Sequence, residues 1–179
     1  MSSDTPILRY GRLSIAMHWL MLLLIVAVYA CIELREFYPK GSDIREGFKA
    51  WHFTLGLTVL GMVAFRIVIR IAQATPPITP EPSTWQRLLA RIVHITLYLF
   101  MICMPIAGWL ILSASGKPIP FFGFGLPSLI EENKDLAGQI KDLHETVGSF
   151  GYYLIGLHAL AALAHHYLWK DNTLKRMLP

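Results

Sequence analysis

The sequence predicts an all-α integral membrane protein, a four-helix bundle with both termini in the cytoplasm. Of its 179 residues, 54% are hydrophobic and only 16% are charged, whereas roughly 25% of the residues of an ordinary soluble domain are charged. The mean hydropathy of +0.47 agrees with this composition. Four apolar stretches are each about 20 residues or longer, which is the helix length that crosses the hydrocarbon core of a bilayer.

These four stretches are the predicted spans, and the lipid bilayer is the partner that they imply. The first covers about 13–34 and the second about 51–71. The segment TPPITPEP, residues 75–82, separates the second span from the third, because four prolines in eight residues prevent a helix from continuing. The third span covers about 88–112 and the fourth about 144–169. One domain, 1–179, contains all four.

The connection before the fourth span is long and has two parts. SASGKPIPFFGFGLP is rich in Gly, Pro and Phe and is expected to lie at the membrane interface as irregular backbone. A surface amphipathic helix is expected over about 129–142, because Ser128 and Glu131 have the spacing of a capping box and Leu136, Ile140 and Leu143 form an apolar stripe.

The distribution of charge sets the orientation of the spans. An even number of spans places both termini on one side, and nine of the 16 Lys and Arg residues fall on that side. The positive-inside rule therefore assigns the termini to the cytoplasm. The first span is expected to be retained rather than cleaved as a signal peptide, because its apolar length and the acidic residues beyond it suit a span.

Composition also excludes several classes of protein and site. The net charge of +4 is spread between the apolar stretches, so no basic stripe for nucleic acid is present. Cys31 and Cys103 are far apart in sequence, which argues against a disulfide framework and against a CxxC metal or redox site. The motif CxxCH is missing, which excludes a covalently attached c-type haem.

Five of the seven histidines lie at two depths within the spans. His144 and His158 are fourteen residues apart, so on a helix they share a face and differ in height by about 21 Å. His52 and His144 begin the second and fourth spans on the periplasmic side. His18, His94 and His158 lie near the cytoplasmic ends of their spans, so the outer side has one pair and the inner side a group of three.

Histidines at these positions are candidate ligands of haem iron. Ionisable residues inside a membrane are costly and usually functional, and haem can take an imidazole on each face of its iron. An outer haem would use His52 and His144. An inner haem would use His158 with either His18 or His94, and spacing alone does not choose between them.

Glycines on the same faces support a flat cofactor beside the rings. Gly148 and Gly151 follow His144 on its helix face, and Gly56 follows His52 by one turn. Each is expected to leave room for a macrocycle, although small residues in membrane helices also mark close helix packing.

Three segments of the chain resemble the bacterial cytochrome b561 family, in its superoxide oxidase branch. They are HETVGSFGYYLIGLHALAALAHHYLWKDNTLKRMLP at the end, SIAMHWL near the start and KAWHFTLG before the second span. The resemblance covers nearly the whole chain. It implies a four-helix bundle in the bacterial inner membrane with two b-type haems, and it carries the ligand roles onto His18, His52, His144 and His158.

The resemblance also implies a reaction. Superoxide would be oxidised to dioxygen at the periplasmic haem edge, and the electrons would pass through two haems to ubiquinone. Since the protein mainly holds cofactors in place, no general acid, general base or nucleophile is expected to be catalytic. No obligate protein partner is expected.

Two other functions remain open from the sequence. The chain could be a dihaem cytochrome b electron-transfer subunit that serves a partner dehydrogenase or hydrogenase, although its tails offer little docking surface. It could also be a non-haem metal transporter with a histidine relay.

Two further residues are candidates at the inner haem. His165 lies seven residues beyond His158, close to the same face, and is a candidate for hydrogen bonding to quinone; the alternative is a solvated interfacial pair with His166, which has no assigned role. Arg66 lies fourteen residues after His52, where it would neutralise a haem propionate or serve as a positive-inside anchor.

The outer side has three candidate residues for attracting superoxide, which is a small anion. Electrostatic steering by basic residues raises the rate of encounter, and Arg45, Lys49 and Lys117 are placed to provide it.

Overall fold

The computed structural model describes residues 9–179, and four long α-helices dominate this part of the chain. They are α1 (Arg12–Leu34), α2 (Asp43–Ala72), α3 (Thr84–Ala114) and α4 (Lys134–Tyr167). Each is long and apolar enough to cross a membrane. The predicted fold class, an all-α membrane bundle, is confirmed. Residues 1–8 of the expected domain lie outside the described residues.

The helices pack in chain order, with α1 against α2, α2 against α3 and α3 against α4. The buried core of the inner half contains Met21 of α1 with Val59 and Val63 of α2. Neither α1 nor α2 packs against α4 as closely as consecutive helices do. Two pairs of histidine rings, His52 with His144 and His18 with His158, meet between α4 and the first two helices.

Polar caps determine where three of the helices begin. The side chain of Ser42 accepts a hydrogen bond from the Arg45 amide at the start of α2. Ser83 and Gln86 form a capping box at the start of α3. The Asn133 side chain accepts a hydrogen bond of 3.0 Å from the Leu136 amide at the start of α4. These bonds satisfy backbone donors that a helix leaves free in its first turn.

The prediction of a separate surface helix over about 129–142 was wrong. Residues 134–143 are the first part of α4, which runs unbroken from Lys134 to Tyr167. Asn133 caps this helix, and the expected capping box of Ser128 and Glu131 is not used. At 1.5 Å per residue, α4 is about 51 Å long, so it extends well beyond a hydrocarbon core of about 30 Å.

The connection between α3 and α4 contains a β-hairpin where irregular backbone was expected. Strands β1 (Ile119–Phe121) and β2 (Phe124–Leu126) pair in antiparallel register. Phe122 and Gly123 form the turn with φ of 46° and 86°. The Thr54 hydroxyl donates to the Pro120 carbonyl at 3.4 Å, so the hairpin lies against α2 two residues from His52.

The C-terminal segment folds back over the end of the bundle where α1 begins. The Trp19 indole donates to the Met177 carbonyl at 2.8 Å, and the Tyr10 amide donates to the Arg176 carbonyl at 3.2 Å. Asn172 accepts from the Thr79 amide in the α2–α3 connection at 2.9 Å. The two ends of the described chain therefore meet at one end of the bundle.

Candidate functional site

The outer histidine pair joins α2 to α4. The ring centroids of His52 and His144 are 6.3 Å apart, and their planes are inclined by 78°. His52 Nδ1 lies 3.0 Å from the Val28 carbonyl of α1. That carbonyl is an acceptor, so Nδ1 carries the proton and Nε2 keeps a free lone pair. This is the arrangement in which a backbone group orients a metal-ligating imidazole.

The separation of these rings matches a shared metal ion. An imidazole nitrogen binds a transition metal at about 2.0–2.1 Å, so two opposed imidazoles on one ion have centroids about 6.3–6.5 Å apart. His144 Nδ1 is buried and has no hydrogen-bond partner among the described residues. The donor set and spacing of this pair therefore fit a haem iron.

The inner group brings three helices together around His158 of α4. The His18 ring of α1 is 6.1 Å from the His158 ring, with planes inclined by 63°. The His94 ring of α3 is 5.4 Å from the same ring. Only the first distance is close to that expected for two ligands of one ion. Both rings contact His158, and the choice between His18 and His94 as its partner stays a prediction.

Arg66 reaches the inner group from α2, as its position in the sequence predicts. Its Nη2 lies 3.4 Å from His18 Nδ1, and its Nη1 donates to the Ser14 carbonyl at 3.3 Å. A guanidinium can only donate, so Nδ1 accepts in this long contact and His18 Nε2 would carry the proton. Coordination of a haem iron through His18 Nε2 therefore requires the Arg66–His18 contact to break. The Arg66 guanidinium would then be free beside the inner histidines.

One of the glycines expected to clear space for a macrocycle does not do so. A Cβ on Gly151 would meet the Tyr29 hydroxyl and would lie 2.5 Å from Phe100 Cζ. Gly151 is therefore a site of close packing between α4, α1 and α3. A Cβ on Gly56 would meet no atom within 4 Å, and one on Gly148 would meet only Met104 at 3.5 Å. These two positions keep the open space that was expected.

His165 is held at the C-terminal end of α4 by a carboxylate. Its Nδ1 lies 2.5 Å from Asp171 Oδ2, and its ring packs 4.7 Å from that of Trp169. Burial alone would raise the pKa of Asp171, but hydrogen bonds from His165 and from the Thr173 amide outweigh burial and hold this pKa below its usual range. His165 is thus a partly buried member of a hydrogen-bonded pair, and the solvated alternative was wrong.

Arg45 is not available for steering, so this expectation was wrong. Its side chain is only 9% exposed. One terminal nitrogen donates to the carbonyls of Arg35 and Tyr38 at 2.9 Å, and the other contacts both Glu36 carboxylate oxygens. Arg45 therefore fixes the turn between α1 and α2. A sequence pattern cannot show that an Arg in this turn is committed to backbone carbonyls.

The two lysines expected to steer superoxide lie at the same end of the bundle. Lys49 Nζ is 2.6 Å from a Glu46 carboxylate oxygen, which partly neutralises its charge. Lys117 is exposed next to the hairpin, and its charge also acts on Glu46. Both positions are compatible with a weak local attraction for anions.

Arg35 is a cation at the outer pair that sequence reasoning missed. It follows the last residue of α1, its charge acts on His52, and its Nε lies 2.9 Å from Glu36. Within residues 9–179, no hydrogen bond engages its terminal guanidinium nitrogens. No periodic pattern points to Arg35, because its position depends on the turn that Arg45 fixes.

The chain is similar to known proteins over nearly its whole length. The family model described as prokaryotic cytochrome b561 matches residues 9–179. Among similar proteins, the probable superoxide oxidase CybB of Yersinia pestis is 42% identical over 171 residues, covering 96% of both chains. Cytochrome b561 homolog 1 of Escherichia coli (strain K12) is 38% identical over 171 residues, covering 96% of this chain and 97% of the homolog. Cytochrome b561 homolog 2 of the same organism is 32% identical over 178 residues, covering 95% and 91%.

Proposed function

The chain belongs to the prokaryotic cytochrome b561 family of b-type haem membrane proteins that transfer electrons, and from that membership we propose that it is a superoxide:quinone oxidoreductase. Two superoxide anions each give up one electron and become dioxygen. One ubiquinone takes the two electrons and two protons and becomes ubiquinol, so charge and atoms balance. The relative named as a probable superoxide oxidase supports this assignment.

Two layers of histidine would hold two haems. His52 with His144 forms the outer layer and His18 with His158 the inner layer, with ring separations of 6.3 Å and 6.1 Å. Bound haem supplies reversible one-electron chemistry. The inner layer also needs a counter-charge for a propionate, and Arg66 provides it once it leaves His18.

The outer end is the proposed entry for superoxide. The hairpin contacts α2 at Thr54, two residues from His52. The Arg35 charge acts on His52, and within residues 9–179 its terminal nitrogens make no hydrogen bond; Lys49 and Lys117 add weaker attraction nearby. Local cations matter here because acidic residues outnumber basic ones on this side of the sequence, so the net charge of this surface does not attract an anion.

The inner end is the proposed exit for electrons to quinone. His165 lies about 10.5 Å along α4 from His158, which is two helical turns. It is the polar side chain on this face of α4 that could bond to a quinone carbonyl. The single observation that carries the proposal is that two histidine pairs with metal-compatible spacing lie at opposite ends of one bundle.

The orientation follows from the reaction and from the charge bias together. Both termini lie in the cytoplasm of a bacterium, the chain spans its inner membrane as one domain, and the outer histidine pair faces the periplasm. No obligate partner protein is required, since substrate sites at both ends belong to this chain.

A superoxide-pulse experiment tests this function. The purified holoprotein is mixed with superoxide in a stopped-flow spectrometer, and the α-band of reduced b-type haem is followed; ubiquinone-1 is then added. We expect fast reduction by superoxide and fast reoxidation by quinone with no other protein present. If dithionite reduces the haems but superoxide does not, the chain is an electron-transfer subunit for another donor. Absence of any b-type α-band contradicts both functions.

A further inference from the structure

Beyond the histidine layers, one buried carboxylate is paired with one imidazole. Asp171 is only 4% exposed, although it lies just after the end of α4. Its Oδ1 accepts from the Thr173 amide at 2.8 Å, and its Oδ2 lies 2.5 Å from His165 Nδ1. A buried carboxylate is costly unless it is paired, and here every contact favours its ionised form.

A small cavity connects this carboxylate to the protein surface. Its volume is about 130 Å³, and Asp171 lines it together with Pro80, Glu81, Gln86 and Trp169. Pro80 and Glu81 are exposed, so the cavity reaches the surface. A water molecule occupies about 30 Å³ in the liquid, so several waters fit. Asp171 therefore has water on one side and His165 on the other.

The His165 imidazole lies between Asp171 and the inner histidine layer along α4. With Asp171 ionised, His165 Nδ1 carries the proton and donates it to the carboxylate, so Nε2 is the atom free to exchange protons. His165 lies two turns along α4 from His158 and close to the same face. Cavity, carboxylate and imidazole thus form a path from the surface toward the place where quinone would be reduced.

We propose that the Asp171–His165 pair is the proton input for quinone reduction, with Asp171 acting on quinone only through His165. This inference depends on the proposed function. Each electron that reaches the quinone is matched by one proton from His165 Nε2 to a quinone oxygen, and the negative charge of Asp171 stabilises the imidazolium between transfers. After each transfer the neutral imidazole turns over, so that its protonated nitrogen faces the quinone and its bare nitrogen faces Asp171. Water in the cavity then protonates Asp171, which passes this proton to the bare nitrogen and is ionised again. Two such cycles supply the two protons of ubiquinol.

Other charged and titratable groups face this pair and set its electrostatics. Arg176 of the C-terminal segment and Arg70 of α2 stack on the Tyr10 ring at 5.4 Å and 5.6 Å. The Arg176 charge acts on Asp171. Glu81 lies across the cavity and is paired with Arg87. The Arg176 charge favours the ionised form of Asp171 between transfers, so a proton that enters from the cavity is passed on to His165.

Two half-reactions of the holoprotein separate proton input from electron transfer. Reduction of the haems by superoxide takes up no proton on this path, whereas their reoxidation by ubiquinone-1 does. We expect Asp171→Asn to leave the superoxide step unchanged and to slow reoxidation about 100-fold, at the low end of the effect of removing general acid catalysis. A small weak acid such as formic acid should restore the rate, because it delivers protons through the cavity.

His165→Gln is the second variant, because it leaves Asp171 bonded to Thr173 and so is less prone to disturb the fold. It should slow reoxidation to a similar degree. Asn172→Ala is the matched control: it removes the bond to the Thr79 amide and loosens the same segment while keeping the proton path. It should reoxidise at the wild-type rate.

Two outcomes overturn the inference. Reoxidation at the wild-type rate in both Asp171→Asn and His165→Gln removes the pair from the proton path while leaving the proposed function in place. Equal slowing in Asn172→Ala, with no recovery of Asp171→Asn in weak acid, assigns the pair a purely structural role. Failure of the wild-type protein to be reoxidised by quinone is a different result, which contradicts the proposed function itself.

Discussion

The Tyr29 hydroxyl of α1 donates a hydrogen bond of 2.7 Å to the carbonyl oxygen of Gly148 in α4. Gly148 lies one helical turn from His144, so this bond links the outer histidine layer to α1. The Tyr29 ring also packs 4.3 Å from the Tyr152 ring, and Tyr152 donates to Glu33 at 2.7 Å. These contacts hold α1 against α4 on the outer side of the bundle.

We predict that Gly151→Ala weakens the packing of α4 against α1 on the outer side. The added Cβ would meet the Tyr29 hydroxyl and Phe100 Cζ, and such overpacking costs about 1–3 kcal/mol. Thermal unfolding in detergent, followed by loss of the haem Soret band, should show a lower midpoint. Gly156→Ala is the matched control on the same helix, because a Cβ there meets no atom within 4 Å. Equal midpoints for the two variants would contradict the close packing at Gly151.

The choice of inner ligand predicts different haem contents for two histidine variants. His18→Ala should lose the inner haem and retain one haem per chain, whereas His94→Ala should retain two. The reason is that the His18 ring lies 6.1 Å from His158, close to the distance for a shared ion, whereas the His94 ring lies 5.4 Å away. Haem per protein is measured by the pyridine haemochrome assay. Loss of a haem in His94→Ala alone would reverse the assignment.

We predict that Arg35→Gln lowers the second-order rate constant for reduction by superoxide about threefold to tenfold, a modest share of known steering effects. The dependence of this rate on ionic strength should also weaken. The midpoint potentials of the haems should stay close to wild type if the Arg35 guanidinium attracts superoxide. Arg87→Gln, at the other end of the bundle, is the control and should have no effect. A change in the potentials without a change in the rate would assign Arg35 to a haem propionate instead.

The C-terminal segment should detach at low pH. The pKa of Asp171 lies below its ordinary value of 3.8 in the folded protein. The ionised carboxylate therefore stabilises the fold fully well above pH 3.8, and this contribution is lost as the pH falls through the lower folded pKa. Pulse-labelling hydrogen exchange after incubation at each pH should show protection of the Thr173 amide at pH 7 and its loss in acid. Asp171→Asn should abolish this dependence on pH; an unchanged profile would contradict it.

The position of each histidine within its apolar span was enough to predict that the histidines meet in two layers. A ligand near the end of an apolar span has only two possible heights, so His52 and His144 could be paired from the sequence, as could His158 with one of two partners. The choice of His18 over His94 rests on the family resemblance and stays a prediction, which the ring distances support. The reason is that both residues lie at the same height on helices that flank α4.

Other features depend on tertiary contacts that no periodic pattern encodes. The start of α4 was misplaced because the apolar stripe at Leu136 and Ile140 continues without a break into the span, and Asn133 caps the helix instead of Ser128. Arg45 could not be recognised as a clamp, because its partners are backbone carbonyls of the preceding turn. Asp171 becomes buried only when the C-terminal segment folds back.

We expect each histidine layer to hold one haem, and a redox titration of the purified protein combined with a haem count measures this. The expected result is two b-type haems per chain, each titrating as a one-electron couple, with one lost on His52→Ala or His144→Ala. A single haem in the wild-type protein, or two haems that both survive loss of His144, would contradict it.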